Sequence, residues 1–245
     1  MFAKAQAKLI KSLHEKKNRT ELGFFLVEGA KSVSELLKSD FEIDFILTTT
    51  EFFNKHGDKI RERSKIFEIV NQFEIEKVST LETNDSALAV VKQKENKPIK
   101  ISSSEIVIAL DEIKDPGNLG TIIRIADWYG VKNIIASKTT ADFYNSKVIG
   151  ASMGSFTRIN IFYTDLVDFL SKTKQPILGA FLDGKNVHKL EFPKGGILVM
   201  GNESKGISKE IENLITQKIT IPQYGEAESL NVAIATAVIM DNWKK

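Results

Sequence analysis

Short apolar runs alternate along the chain with segments whose apolar residues recur at helical spacing. "FFLVEG" (24–29) reads as a strand, and "AKSVSELLKS" (30–39) as a helix with Val33, Leu36 and Leu37 on one face. "DFILTT" (44–49) reads as a second strand, followed by a charged helix, "EFFNKHGDKIRERS" (51–64). "KIFEIV" (65–70) and "ALAVVK" (87–92) are further strands, which gives a small α/β domain over residues 1–95. The polar stretch "KQKENKPIKISSS" carries Pro98 and ends in three serines, so residues 96–104 read as a linker.

The second domain is expected over residues 105–245. "EIVIALDEI" (105–113) is apolar on both faces, as a buried parallel strand is. "KNIIAS" (132–137), "RINIFY" (158–163), "PILGAFL" (176–182), "GILVMG" (196–201) and "KITIP" (218–222) follow, with helical segments between several of them. The last element, "ESLNVAIATAVIMDNW" (228–243), carries Leu230, Ile234, Ala237 and Val238 at helical spacing. Strands alternating with helices predict a mostly parallel sheet whose site lies at the carboxyl ends of the strands.

Composition narrows the chemistry. None of the 245 residues is a cysteine, which removes disulfides, thiolate metal sites and cysteine nucleophiles and fits a reducing compartment. No apolar run approaches the roughly 20 residues of a bilayer span, and the expectation is a soluble, cytoplasmic protein with no membrane partner. The net charge of +2 is small, but residues 1–20 hold Lys4, Lys8, Lys11, Lys16, Lys17 and Arg19 against Glu15 alone. Such a basic head can meet phosphates or merely face water.

Three patterns suggest chemistries that their surroundings do not support. "GASMG" (150–154) fits the G-x-S-x-G nucleophile elbow, with Asp183 and His188 downstream; that elbow needs a helix after the serine, and here a strand pattern follows. "GNESKGIS" (201–208) has the glycine spacing of a phosphate loop, but Ile207 stands where a lysine must reach the phosphates. G-x-G-x-x-G does not occur, and His14, His56 and His188 lack ligand spacing, so no metal is expected.

Three loops remain, each after a strand of the second domain: "DPGNLGTIIR", "VMGNESKGIS" and "IPQYGEAESLN". Each pairs glycine with polar side chains, and together they would converge on one crevice. Asn118 and Ser229 would also serve as helix N-caps. Arg124, set among Ile122, Ile123 and Ile125, is costly in an apolar helix unless it has an anionic partner.

These loops resemble the three signature motifs of the SpoU/TrmH family of RNA 2′-O-ribose methyltransferases, in the SPOUT superfamily. The first motif is Asn118-Leu119-Gly120-Thr121-Ile122-Ile123-Arg124, the second runs from Val199 to Gly206, and the third joins Ile221–Gly225 to Ser229-Leu230-Asn231-Val232. "KKNRTELGFFLVEGAKSVSELL" is similar to the start of an accessory RNA-binding domain related to ribosomal proteins, which implies RNA contacts for Lys16, Lys17 and Arg19. The resemblance implies a deep trefoil knot at the C-terminal end, a homodimer, and S-adenosylmethionine as methyl donor. Backbone at Gly201, Ile221 and Leu230, with Asn202 beside them, would hold the donor. The RNA substrate would be ribosomal, with transfer RNA as an alternative, and a catalytically inactive RNA-binding homologue is the rival. Arg124 would hold the 2′-hydroxyl and a neighbouring phosphate; a guanidinium stays protonated, so the proton would leave to phosphate or water. Asn118 and Glu203 would orient Arg124 and the substrate, and Ser229 and Asn231 would position the ribose or fix the third loop.

Overall fold

The computed structural model describes residues 4–245. Its first stretch holds α1 (Lys4–Ser12), α2 (Lys16–Leu22), β1 (Phe24–Glu28), α3 (Ala30–Leu36), β2 (Ile43–Thr48), α4 (Thr50–Arg63), β3 (Phe67–Ile69), α5 (Gln72–Glu76) and β4 (Ala87–Lys92). Then come β5 (Ile106–Leu110), α6 (Pro116–Trp128), β6 (Asn133–Ser137), α7 (Ser146–Ala151), β7 (Asn160–Thr164), α8 (Leu166–Lys172), β8 (Ile177–Asn186), β9 (Gly196–Met200), α9 (Lys209–Glu212), β10 (Gln217–Thr220) and α10 (Val232–Trp243). The chain forms two compact units. One is the segment ending at Glu95 together with Asp142–Thr157; the other is Asn96–Ala141 with Arg158–Lys245.

The first unit is built on a four-stranded sheet in the order β1-β4-β2-β3, with β4 antiparallel to both neighbours. Alternation along the strands decides its two faces. Leu26, Phe45, Leu47, Leu88 and Val90 pack with Ile10, Leu13 and Ile75 on one side. Phe25, next along β1 from Leu26, instead meets Phe41 at a ring separation of 5.6 Å, Tyr144 at 4.6 Å and Phe156 at 6.2 Å. Tyr144 and Phe156 belong to 142–157, a segment that the sequence groups with the second domain. Burial pushes the Tyr144 phenol up to about 12, and its hydroxyl accepts from the Lys94 amide at 2.9 Å.

Arg19 corrects the sequence reading. Together with Lys16 and Lys17 it is expected to face RNA, but it is buried. Its Nη1 donates to the carbonyls of Leu13 (2.9 Å) and His14 (2.8 Å), and its Nη2 and Nε donate to Asp142 Oδ2 at 2.7 and 3.2 Å. A buried guanidinium that makes four hydrogen bonds to three acceptors inside a folded unit is spent on that unit rather than turned to a phosphate. Lys16 and Lys17, one turn earlier, are exposed.

The second unit is a six-stranded sheet in the order β10-β8-β9-β5-β6-β7, with every neighbouring pair parallel. Val107, Ala109, Ile135, Ile197 and Val199 of its central strands pack with Leu166, Leu170 and Ile211. Ile99 and Ile101 lie partly buried against the same cluster, so the polar stretch read as a linker is laid down as an arm of this unit. β10 stands at a sheet edge, yet α10, which follows it, packs against α6, which follows the central β5. The chain thus returns from the edge before it ends.

Replacing Arg19 with Ala removes one partner of a largely buried ion pair, and a loss of about 3 kcal/mol is expected. Urea unfolding should show this as a lower midpoint, while Lys16→Ala and Lys17→Ala stay within roughly 0.5 kcal/mol of wild type.

Candidate active site

The site is assembled at the carboxyl ends of β5, β9 and β10, and each loop is fixed by a different local device. α6 begins at Pro116, with Asp115 as its N-cap: the carboxylate accepts the Asn118 amide at 2.7 Å, and proline sits where a missing N–H costs nothing. Asn118 is therefore inside the first turn rather than its cap. At the start of the last helix, Asn231 caps α10, its Oδ1 accepting from Ala233 N at 2.9 Å and Ile234 N at 3.3 Å. Ser229, the expected cap, is exposed and makes no hydrogen bond among the described residues.

The second loop closes on itself. Asn202 and Gly206 exchange backbone hydrogen bonds at 3.0 and 2.9 Å, and a Cβ on Gly201 would lie 2.3 Å from the backbone of Gly206 and Ile207. Only glycine fits that approach. The Asn202 side chain is spent on the loop: its Oδ1 accepts from the amides of Ser204 (3.0 Å) and Lys205 (3.1 Å), and its Nδ2 donates to Glu112 O at 2.9 Å. Asp111, buried at the end of β5, accepts the Ser208 amide at 2.7 Å and ties down the far side. The sequence reading missed Asp111, although a carboxylate ending the apolar run "IVIALD" was the available signal.

The three loops then meet through side chains. Asn231 Nδ2 donates to Asn118 Oδ1 at 2.9 Å, and Asn118 Nδ2 donates to Glu203 Oε1 at 2.8 Å. Residues 118, 203 and 231, distant in sequence, form one hydrogen-bonded chain. Arg124 is not part of it. It lies on the exposed side of α6, one turn before Trp128, and has no polar partner among the described residues. Leu119, Ile122, Ile123 and Ala126 take the buried side of the helix and leave Arg124 exposed, so water solvates its charge in the protein alone. Beside the chain, Ile221 is half-buried and Leu230 half-exposed, while Gln223 Nε2 donates to the carbonyls of Gly225 (2.7 Å) and Ala227 (2.9 Å) and holds the third loop.

Known proteins share this arrangement of sequence and fold. The profile of the SpoU rRNA Methylase family matches residues 105–241, and that of an MRM3-like substrate binding domain matches residues 4–89. The chain belongs to the SpoU rRNA methylase family. Among its relatives is the Bacillus subtilis 23S rRNA (guanosine(2553)-2′-O)-methyltransferase RlmP, 30% identical over 94% of this chain and 92% of the relative. A TrmH-family protein from Porphyromonas gingivalis has a solved structure with a TM-score of 0.86 and 34% identity, covering 99% of this chain and 98% of its own. An AdoMet-bound rRNA methyltransferase from Sinorhizobium meliloti superposes with a TM-score of 0.88 at 29% identity, covering 100% and 95%.

The SpoU match spans all three loops and leaves the hydrolase pattern without a site. Ser152 is fully buried in the first unit, its hydroxyl donating to Ile149 O at 2.7 Å, whereas Asp183 and His188 lie in the second unit. Among the described residues no group of three or more His, Asp or Glu side chains is placed to hold a metal ion, and no helix is long and apolar enough to cross a membrane.

The cap at Asn231 separates two roles of one side chain. Asn231→Ala should lower stability by about 1 kcal/mol in thermal unfolding, whereas Asn231→Asp keeps an oxygen for the helix N-terminus and should unfold close to wild type.

Proposed function

We propose that this SpoU-family protein transfers a methyl group from S-adenosylmethionine to a ribose 2′-hydroxyl, with ribosomal RNA as its substrate class. The observation that carries this reading is the hydrogen-bonded chain Asn231–Asn118–Glu203, which joins all three family loops, while Arg124 on α6 is exposed and has no polar partner among the described residues. Ribosomal RNA is favoured because the 23S rRNA enzyme from Bacillus subtilis aligns along 94% of this chain, whereas the tRNA (guanosine(18)-2′-O)-methyltransferase of Aquifex aeolicus aligns along 56%.

The residues fit the donor. Gly201 lets two backbone segments approach more closely than any side chain allows, and Ile221 and Leu230 offer apolar surface for an adenine. Since the Asn202 side chain is committed to its own loop, its contribution to the donor is through main chain. S-adenosylmethionine supplies an electrophilic methyl group on a sulfonium. Arg124, without a polar partner among the described residues, holds a phosphate beside the target ribose and stabilises negative charge on the attacking oxygen. Ser229, exposed next to the chain, faces the ribose. Lys16 and Lys17 contact RNA phosphates from the first unit.

The same reading includes a homodimer in the cytoplasm, where the RNA is met. Trp128 at the end of α6 and Ile234 on the adjoining α10 are 83% and 52% exposed, and a second copy would cover them. The return of the chain from edge strand β10 to α6 supports a trefoil knot at this end.

Two measurements test the reading. Arg124→Ala should cut radiolabelled methyl transfer to ribosomal RNA on the order of a hundredfold without changing thermal unfolding; an inactive RNA-binding homologue would give no incorporation with either protein. In sedimentation, Trp128→Glu should shift dimers to monomers.

A further inference from the structure

The direction of the Asn231–Asn118–Glu203 chain is forced from one end. Asn231 commits its oxygen to the first amides of α10, so only its NH2 can face Asn118. Asn118 must answer with its oxygen and pass its own NH2 onward, and residue 203 must then be an acceptor. Glu203 receives this donor on Oε1. It is exposed, and among the described residues neither a lysine, an arginine nor a second donor meets its other oxygen. The neighbouring backbone is fixed by Asn202, whose side chain holds the amides of residues 204 and 205. A carboxylate held by one oxygen, in a loop closed by its own hydrogen bonds, leaves the second oxygen open.

We propose that Glu203 Oε2 is the proton acceptor of the reaction, a catalytic residue that touches the ribose hydroxyl. This rests on the ribose-methylation reading above. As the 2′-oxygen attacks, its proton passes to Glu203 and its electron pair forms the new oxygen–methyl bond. The methyl–sulfur bond breaks and leaves its electron pair on sulfur. The positive charge on sulfur and the negative charge on the carboxylate are discharged together, so charge and atoms balance. Arg124 cannot take this part, because a guanidinium offers donors and no acceptor. It and Glu203 divide the work: one steadies negative charge, the other removes the proton.

Glu203→Gln is the test, since glutamine keeps an oxygen for Asn118 while losing the basic one. Single-turnover methyl transfer to deproteinised large-subunit ribosomal RNA should fall about 10²- to 10⁴-fold. Calorimetric titration with S-adenosylmethionine should give an affinity within about twofold of wild type, as expected for a group that handles only the proton. Added formate should partly restore the rate of Glu203→Gly and leave that of Arg124→Ala unchanged. A wild-type rate in Glu203→Gln overturns the proposal, as does a loss of donor affinity that matches the loss of rate. If the wild-type protein itself transfers no methyl group to RNA, the function proposed above falls with it.

Discussion

A helix N-terminus with two amides in need of an acceptor governs the site. The first N–H groups of α10 have no partners within the helix, and Asn231 satisfies two of them with one oxygen. Everything downstream follows from that commitment. The amide nitrogen of Asn231 has one direction left, Asn118 is oriented by it, and Glu203 is reached through Asn118. Two side chains whose ends could otherwise be exchanged are given a single arrangement by backbone need, and polar groups arranged before substrate arrives need no reorganisation during reaction.

The second loop is held in place by close backbone approach as well as by hydrogen bonding. At Gly201 the backbone of Gly206 and Ile207 occupies the place of a side chain, and Asn202 bonds back to the loop after β5. Asp111 fixes the start of the following helix from below. The second loop is thus tied on both sides to the strand that also leads into α6, so the first and second motifs share one anchor.

Much of this was legible in the sequence because strands buried on both faces leave long apolar runs. β4 spans the predicted residues 87–92, and β5, β6 and β9 fall inside their predicted runs. The three loops stood out because glycine and polar residues cluster after those strands. What escaped was determined by tertiary partners. Asp115 and Asn231 outcompeted Asn118 and Ser229 as caps because the capping residue must precede the helix, and where a helix starts cannot be read from periodicity alone. Arg124 drew notice because isoleucines surround it in sequence, and the helical turn sends Ile122 and Ile123 to the buried side while it stays exposed. Arg19 looked like one more cation in a basic head; only its distant partner Asp142 reveals a structural role.

That pairing has a bearing on how the polypeptide matures. The first sheet needs Phe156 against Phe25 and Phe41, and Arg19 needs Asp142, but both partners are translated after the strands β5 and β6. During synthesis, at roughly 5–20 residues per second, the leading half therefore emerges from the ribosome with one aromatic face uncovered and a guanidinium still unmatched. It reaches its finished state only after Thr157 has cleared the exit tunnel, by which time part of the trailing half is already outside. A chain stopped at Glu95 would lack this closing segment and leave Phe25 and Phe41 without Phe156 against them.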